Sequence, residues 1–153
     1  MLRLSQLAED VTTILNNHLP PEIRAVTTLD WVAYLTSNKQ LTVLVCPDVN
    51  QYNIETSTGR RRLVQVHVTK YINVIVGKTF VGIDQSGDIA PWSESVDIID
   101  TREMIEDILV ANWPNGTQLV SIEAAPIDEQ ELDNRNFSSI TAFGYDVMQC
   151  GSQ

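Results

Sequence analysis

Leu4, Leu7, Val11, Ile14 and Leu15 recur at spacings of three, four, three and one, which places them on one side of a helix. Glu9, Asp10 and Thr13 occupy the other side, so the spacing predicts a surface helix lying on a core. Pro20-Pro21 ends it, because neither proline supplies the amide that a continuing helix needs. Between Ile23 and Leu35 the pattern is mixed, and predicts a strand around Val26-Thr27-Thr28, then a turn or short helix from Asp30. Leu41 to Cys46 is almost wholly apolar or β-branched, the pattern of a central strand, and Pro47-Asp48 closes it.

Residues 48 to 62 are polar and end in Gly59-Arg60-Arg61-Arg62, which predicts a long loop with a basic end. From Leu63 to Val76 the residues Val64, Val66, Val68, Ile72, Val74 and Val76 all fall on even positions and share one face of a strand. Gln65, His67, Thr69 and Asn73 take the opposite face. Lys70 breaks the apolar parity and marks a bulge or a break between two strands. Gly77-Lys78 reads as the turn after that strand, Thr79 to Ile83 as a returning arm, and Asp84 to Asp88 as a further turn. Pro91 fits the first turn of a helix that begins near Trp92, with Trp92 anchoring the junction against the sheet.

That second helix spans residues 92 to 110, with Val96, Ile98, Ile99, Ile105, Ile108 and Leu109 on its apolar side and an acid-rich first turn. Trp113-Pro114-Asn115-Gly116 terminates it. Leu119 to Ala124 follows as a short strand, Pro126 to Asn136 as an acidic connection, and Phe137 to Val147 as closing strand positions. The expected fold is α+β, a mainly antiparallel β-sheet with two principal α-helices packed on one face.

At 153 residues the chain has the length of one domain, 1–153, with a flexible tail at 149–153, and can bury about 70% of its extended surface. No apolar run is long enough for a membrane span, and Glu9 and Asp10 interrupt the N-terminus where a signal peptide would be apolar. Cys46 and Cys150 read as two reduced thiols. The formal charge is −10, and 14 of the 20 acids lie after residue 76, so a free-standing nucleic-acid binder is a poor fit to this surface.

Catalytic chemistry finds little support. Asp84-Gln85-Ser86-Gly87-Asp88 lacks the glycine and glutamate of a calcium loop, with Ile89 and Ser95 in their places. Gly77-Lys78-Thr79 copies only the end of a phosphate loop, and the residues before it form a strand. His18 and His67 are too few for a zinc site, and a Cys46/His67 nucleophile couple requires their strands to be neighbours. No catalytic, cofactor-binding or metal-ligating residue is expected, and no cofactor. Arg60, Arg61 and Arg62 form the one basic concentration; they suit a contact with an acidic patch such as Glu103, Glu106 and Asp107 on another copy, and the alternatives are a solvated loop and a transient DNA contact.

The N-terminal amphipathic helix, Leu41-Thr42-Val43-Leu44-Val45-Cys46-Pro47, the arginine-bearing loop, Tyr71-Ile72-Asn73-Val74-Ile75-Val76-Gly77-Lys78, the helix from Trp92 to Leu109 and the closing Phe137-Ser138-Ser139-Ile140-Thr141-Ala142-Phe143 occur in a telling order. Across residues 2 to 148 that order resembles the tail-terminator and tail-completion proteins of the neck or upper tail of tailed bacteriophages. The resemblance implies a structural virion subunit, not an enzyme, assembled in the host cytoplasm into a homohexameric ring. Such a ring joins the tail tube to the head-side connector around a channel through which DNA passes without sequence-specific binding. The rival readings are a small metal-dependent enzyme using Asp84 and Asp88, and a generic protein-interaction module.

Overall fold

The computed structural model describes residues 2–37, 40–57, 63–79, 92–131 and 135–147. Helix α1 (Leu4–His18) leads into strand β1 (Ala25–Thr27) and the short helix α2 (Trp31–Ser37). Two long strands follow, β2 (Thr42–Ser57) and β3 (Leu63–Thr79), then helix α3 (Trp92–Ala111) and strands β4 (Thr117–Ala124), β5 (Asp128–Glu131) and β6 (Arg135–Val147). The strands form one sheet in the order β1-β2-β3-β6-β4, with β5 also paired to β6. Every pairing is antiparallel except β1 with β2. This is the expected α+β class.

The core lies between the sheet and the two long helices. Leu7, Ala8, Val11 and Leu15 of α1 and Ile98, Ile105 and Leu109 of α3 pack with Val43, Val45, Ile72, Val74, Val76, Phe143 and Tyr145. Their spacing in each helix places them along one side, so packing that side on the sheet removes apolar surface from water. A smaller cluster on the opposite face, Leu44, Cys46 and Ile75, is covered by Trp31 of α2 and by Val26 and Ile140. Asn16 holds α1 to the edge of the sheet, its side chain donating to the Ala25 carbonyl at 3.0 Å and accepting the Ala25 amide at 2.8 Å.

Several expectations are corrected. Strand β2 does not end at Cys46-Pro47; it continues to Ser57, through most of the loop expected over 48 to 62, because β3 offers a matching run from Leu63 onward. Pairing to a neighbour overrides the polar composition, which fits strands wet on both faces. Pro47 is accommodated by an irregularity: Pro47 pairs with Ile72 and Asn50 with Lys70, so Asp48 and Val49 face the single residue Tyr71. The extra residue is a bulge that reverses the parity of β2, putting Asn50, Tyr52 and Ile54 on the face that Val43 and Val45 occupy upstream.

Lys70 therefore marks an irregularity, but in the partner strand; β3 runs unbroken through it. Gly77 and Lys78 form no turn, because each has a partner in β6, Ser138 and Phe137, and Gly77 also pairs with Thr42. Two flanking strands hold the backbone extended there, and the one positive-φ glycine among the described residues is Gly116, in the turn before β4. The acidic connection of 126 to 136 contains β5 and the start of β6. Trp92 does not anchor the helix start on the sheet; it is 72% exposed. The expected returning arm beyond Thr79, the turn at Asp84 to Asp88 and Pro91 lie outside the described residues, as does Cys150.

Candidate functional site

Strand β6 pairs with β3 from Thr79 down to Thr69, whereas β2 stays paired with β3 to its end at Leu63. Beyond Gln51 and Thr69 the hairpin is thus a two-stranded arm projecting past the rest of the described sheet. On its helix-side face burial falls away along the arm: Lys70 is 3% exposed and Val68 is buried, but Val66 is 46%, Tyr52 58% and Ile54 66% exposed. Among the described residues no second layer covers this part of the ribbon, and two strands alone are marginal in water. Along its outer edge β2 pairs with β1 only at Val43, Leu44 and Val45, which leaves the backbone from Cys46 to Ser57 without a described strand beside it.

At the base of the arm three polar side chains converge on the other face. Asp146 of β6 accepts Thr69 Oγ1 on one carboxylate oxygen at 2.7 Å and lies 2.7 Å from His67 Nε2 through the other. Beside them Tyr71 donates its hydroxyl to Gln51 Oε1 at 2.9 Å. Both Asp146 oxygens are occupied, and the Thr69 proton is committed to the carboxylate, so the cluster clamps β6 to β3 and does not present an activated hydroxyl. His67 is on the polar side of β3, as the alternation predicts; its partner Asp146 was not legible, because the contact spans 79 positions in the chain.

Lys70 is the one buried lysine among the described residues. Its Nζ donates to Asn50 Oδ1 at 3.3 Å, and its register partner in β6 is Tyr145, whose buried hydroxyl has no hydrogen-bond partner among the described residues. Burial pushes the ionisation of Tyr145 well above the ordinary phenol range. It does the same to Cys46, whose thiol is moved from 9.0 up to about 11 and is accordingly inert. Cys46 pairs with Asn73 and His67 with Asn53, six residues apart on β3 or about 20 Å, so the two form no nucleophile couple.

The predicted contact residues fall on two regions. Glu103 and Asp107 are exposed on α3, and Glu106 is half-buried beside Arg102, 4.0 Å from its Nε. Arg102 also donates to Ser139 Oγ at 3.3 Å, which ties α3 to β6. Arg60, Arg61 and Arg62 lie outside the described residues, in the five that join Ser57 to Leu63. Among the described residues no three His, Cys, Asp or Glu side chains are grouped to hold a metal. No described helix is long and apolar enough to cross a membrane. Compared with protein-family models and with curated proteins, the chain matches none of them.

Proposed function

We propose that this chain is a structural subunit that assembles with copies of itself into a ring, of the tail-terminator or tail-completion type found at the neck or upper tail of tailed bacteriophages. The observation that carries the reading is the β2–β3 arm, whose exposed Tyr52, Ile54 and Val66 and open β2 edge form a surface suited to a protein neighbour. The subunits, six in a homohexamer, surround a DNA channel between the head-side connector and the tail tube. Function lies in surface complementarity, with no catalytic step.

The charge is consistent with that role. A chain of formal charge −10 lines a channel that does not hold phosphates, so DNA passes without being gripped. Arg60, Arg61 and Arg62 then serve a protein contact with the acids of a neighbour, Glu103 and Asp107 among them. Sedimentation across a concentration series together with mass spectrometry of purified particles tests the proposal. A ring-sized species and a place in the particle are expected, and a monomer at every concentration that is missing from particles rejects it.

A further inference from the structure

The two ends of the sheet complement each other. On one side lies the outer edge of β2, free of described strands from Cys46 to Ser57; on the other lies β4, the last strand of the sheet, with no described strand on its outer edge. Both carry exposed apolar residues, Tyr52 and Ile54 on the first, Val120 and Ile122 on the second. Their lengths agree, because Gln51 to Ser57 and Thr117 to Ala124 extend about 24 and 27 Å.

Charge distinguishes the edges. The β4–β5 side carries Glu123 in β4 and Asp128, Glu129 and Glu131 in β5, with no lysine or arginine in either strand. The arm section of β2 carries Glu55 as its one acid, and in the sequence Arg60, Arg61 and Arg62 follow shortly after its end at Ser57. The acidic edge thus repels another acidic edge, and β2, with one acid in its arm section and three arginines following it in sequence, suits it better by charge.

From these features we infer that the β2 edge of the arm docks along the β4 edge of a second copy, continuing the sheet from one subunit to the next. The contact is head-to-tail, since the two surfaces differ, and repetition closes a ring if the rotation between subunits allows it. Strand addition satisfies the open backbone groups, and the apolar residues of the two edges bury one another. This deepens the ring proposal and rests on it only in taking the neighbour to be a second copy.

Two surface variants test the contact, Ile54→Asp on the arm and Val120→Asp on β4, each first shown by circular dichroism to keep the fold. In sedimentation equilibrium the wild-type chain is expected to gain mass with concentration, and each variant to need about tenfold more protein for the same association. Mixing the two is the decisive arm: each retains the surface the other lacks, so a species of two chains appears that neither variant forms alone. A wild-type monomer throughout, or variants that associate as the wild type does, or a mixture that stays monomeric overturns the contact. Wild-type rings that persist in both variants overturn the contact while leaving the ring proposal standing. Edge-dependent association of a chain that phage particles lack retains the contact and removes the phage assignment.

Discussion

A Cβ at position 144 would collide with the Oγ of Ser121 and come within 3.0 Å of the Tyr71 ring and 3.4 Å of the Thr69 methyl. Gly144 pairs with Tyr71 on one side and Ser121 on the other, so the demand there is space and not an unusual φ. Gly144→Ala is expected to lower unfolding free energy by about 1 to 3 kcal/mol in urea. Ser121→Ala on the same background is expected to return part of it, since the Ser121 hydroxyl is buried without a described partner. Lys70 gives the opposite sign. A buried ammonium whose described partner is the neutral Asn50 keeps little of its hydration, so Lys70→Met is expected to raise the unfolding free energy by about 1 kcal/mol or more, read as a higher urea midpoint with an unchanged slope. The sequence pointed to Lys70 through its parity, but not to its burial, which depends on β6 lying alongside.

Among the elements, the helices were the most legible. The apolar stripe of α1, from Leu7 to Leu15, and the buried Ile98, Ile105 and Leu109 of α3 belong to the one core on the sheet, although α3 also leaves Trp92 and Val110 exposed. The strands were legible where both faces are buried, as in Val43 to Cys46, and misread where one strand changes environment along its length. In β2 a single bulge shifts the parity, and Gln51 to Ile54 after it are exposed, so the run from Asp48 to Ser57 has the texture of a loop although its backbone is paired throughout most of its length. The join of α1 to β1 rests on a side chain standing in for a strand: Asn16 both donates to and accepts from Ala25. Asn16→Ala is expected to cost about 1 to 2 kcal/mol, and hydrogen exchange at Ala25 is expected to quicken more than at Val74 in the middle of β3.

For the molecule as a whole, the alkaline limit of stability follows from what the fold buries. The Cys46 thiol ionises near 9.0 when exposed and near 11 in the folded chain, so folding retains a proton that the unfolded chain loses. The stabilisation is complete below pH 9 and is lost as pH rises through about 11, by at most about 1.4 kcal/mol for each unit. Tyr145, raised in the same direction, adds a loss of the same sign at higher pH. Urea unfolding at pH 8, 9 and 10 is expected to show a decline that Cys46→Ala flattens. The candidate contact surface was half legible at this scale. Glu103 and Asp107 were recognisable as a solvated acidic face, whereas Tyr52, Ile54 and Val66 gain their meaning only from β6 ending its pairing at Thr69.

The sequence by itself determined the helices, the central strands, the α+β class and the acidic balance, because periodicity and charge are carried by neighbours along the chain. Only the tertiary structure decided that β2 and β3 form one long hairpin, that Gly77-Lys78 lies within a strand, and that Asp146 meets His67 and Thr69. These depend on which strand lies beside which, and cross-strand hydrogen bonds join residues whose separation in sequence leaves no local signature. The same dependence makes the arm a surface: its residues are ordinary strand residues, open among the described residues because the pairing of β3 with β6 stops at Thr69.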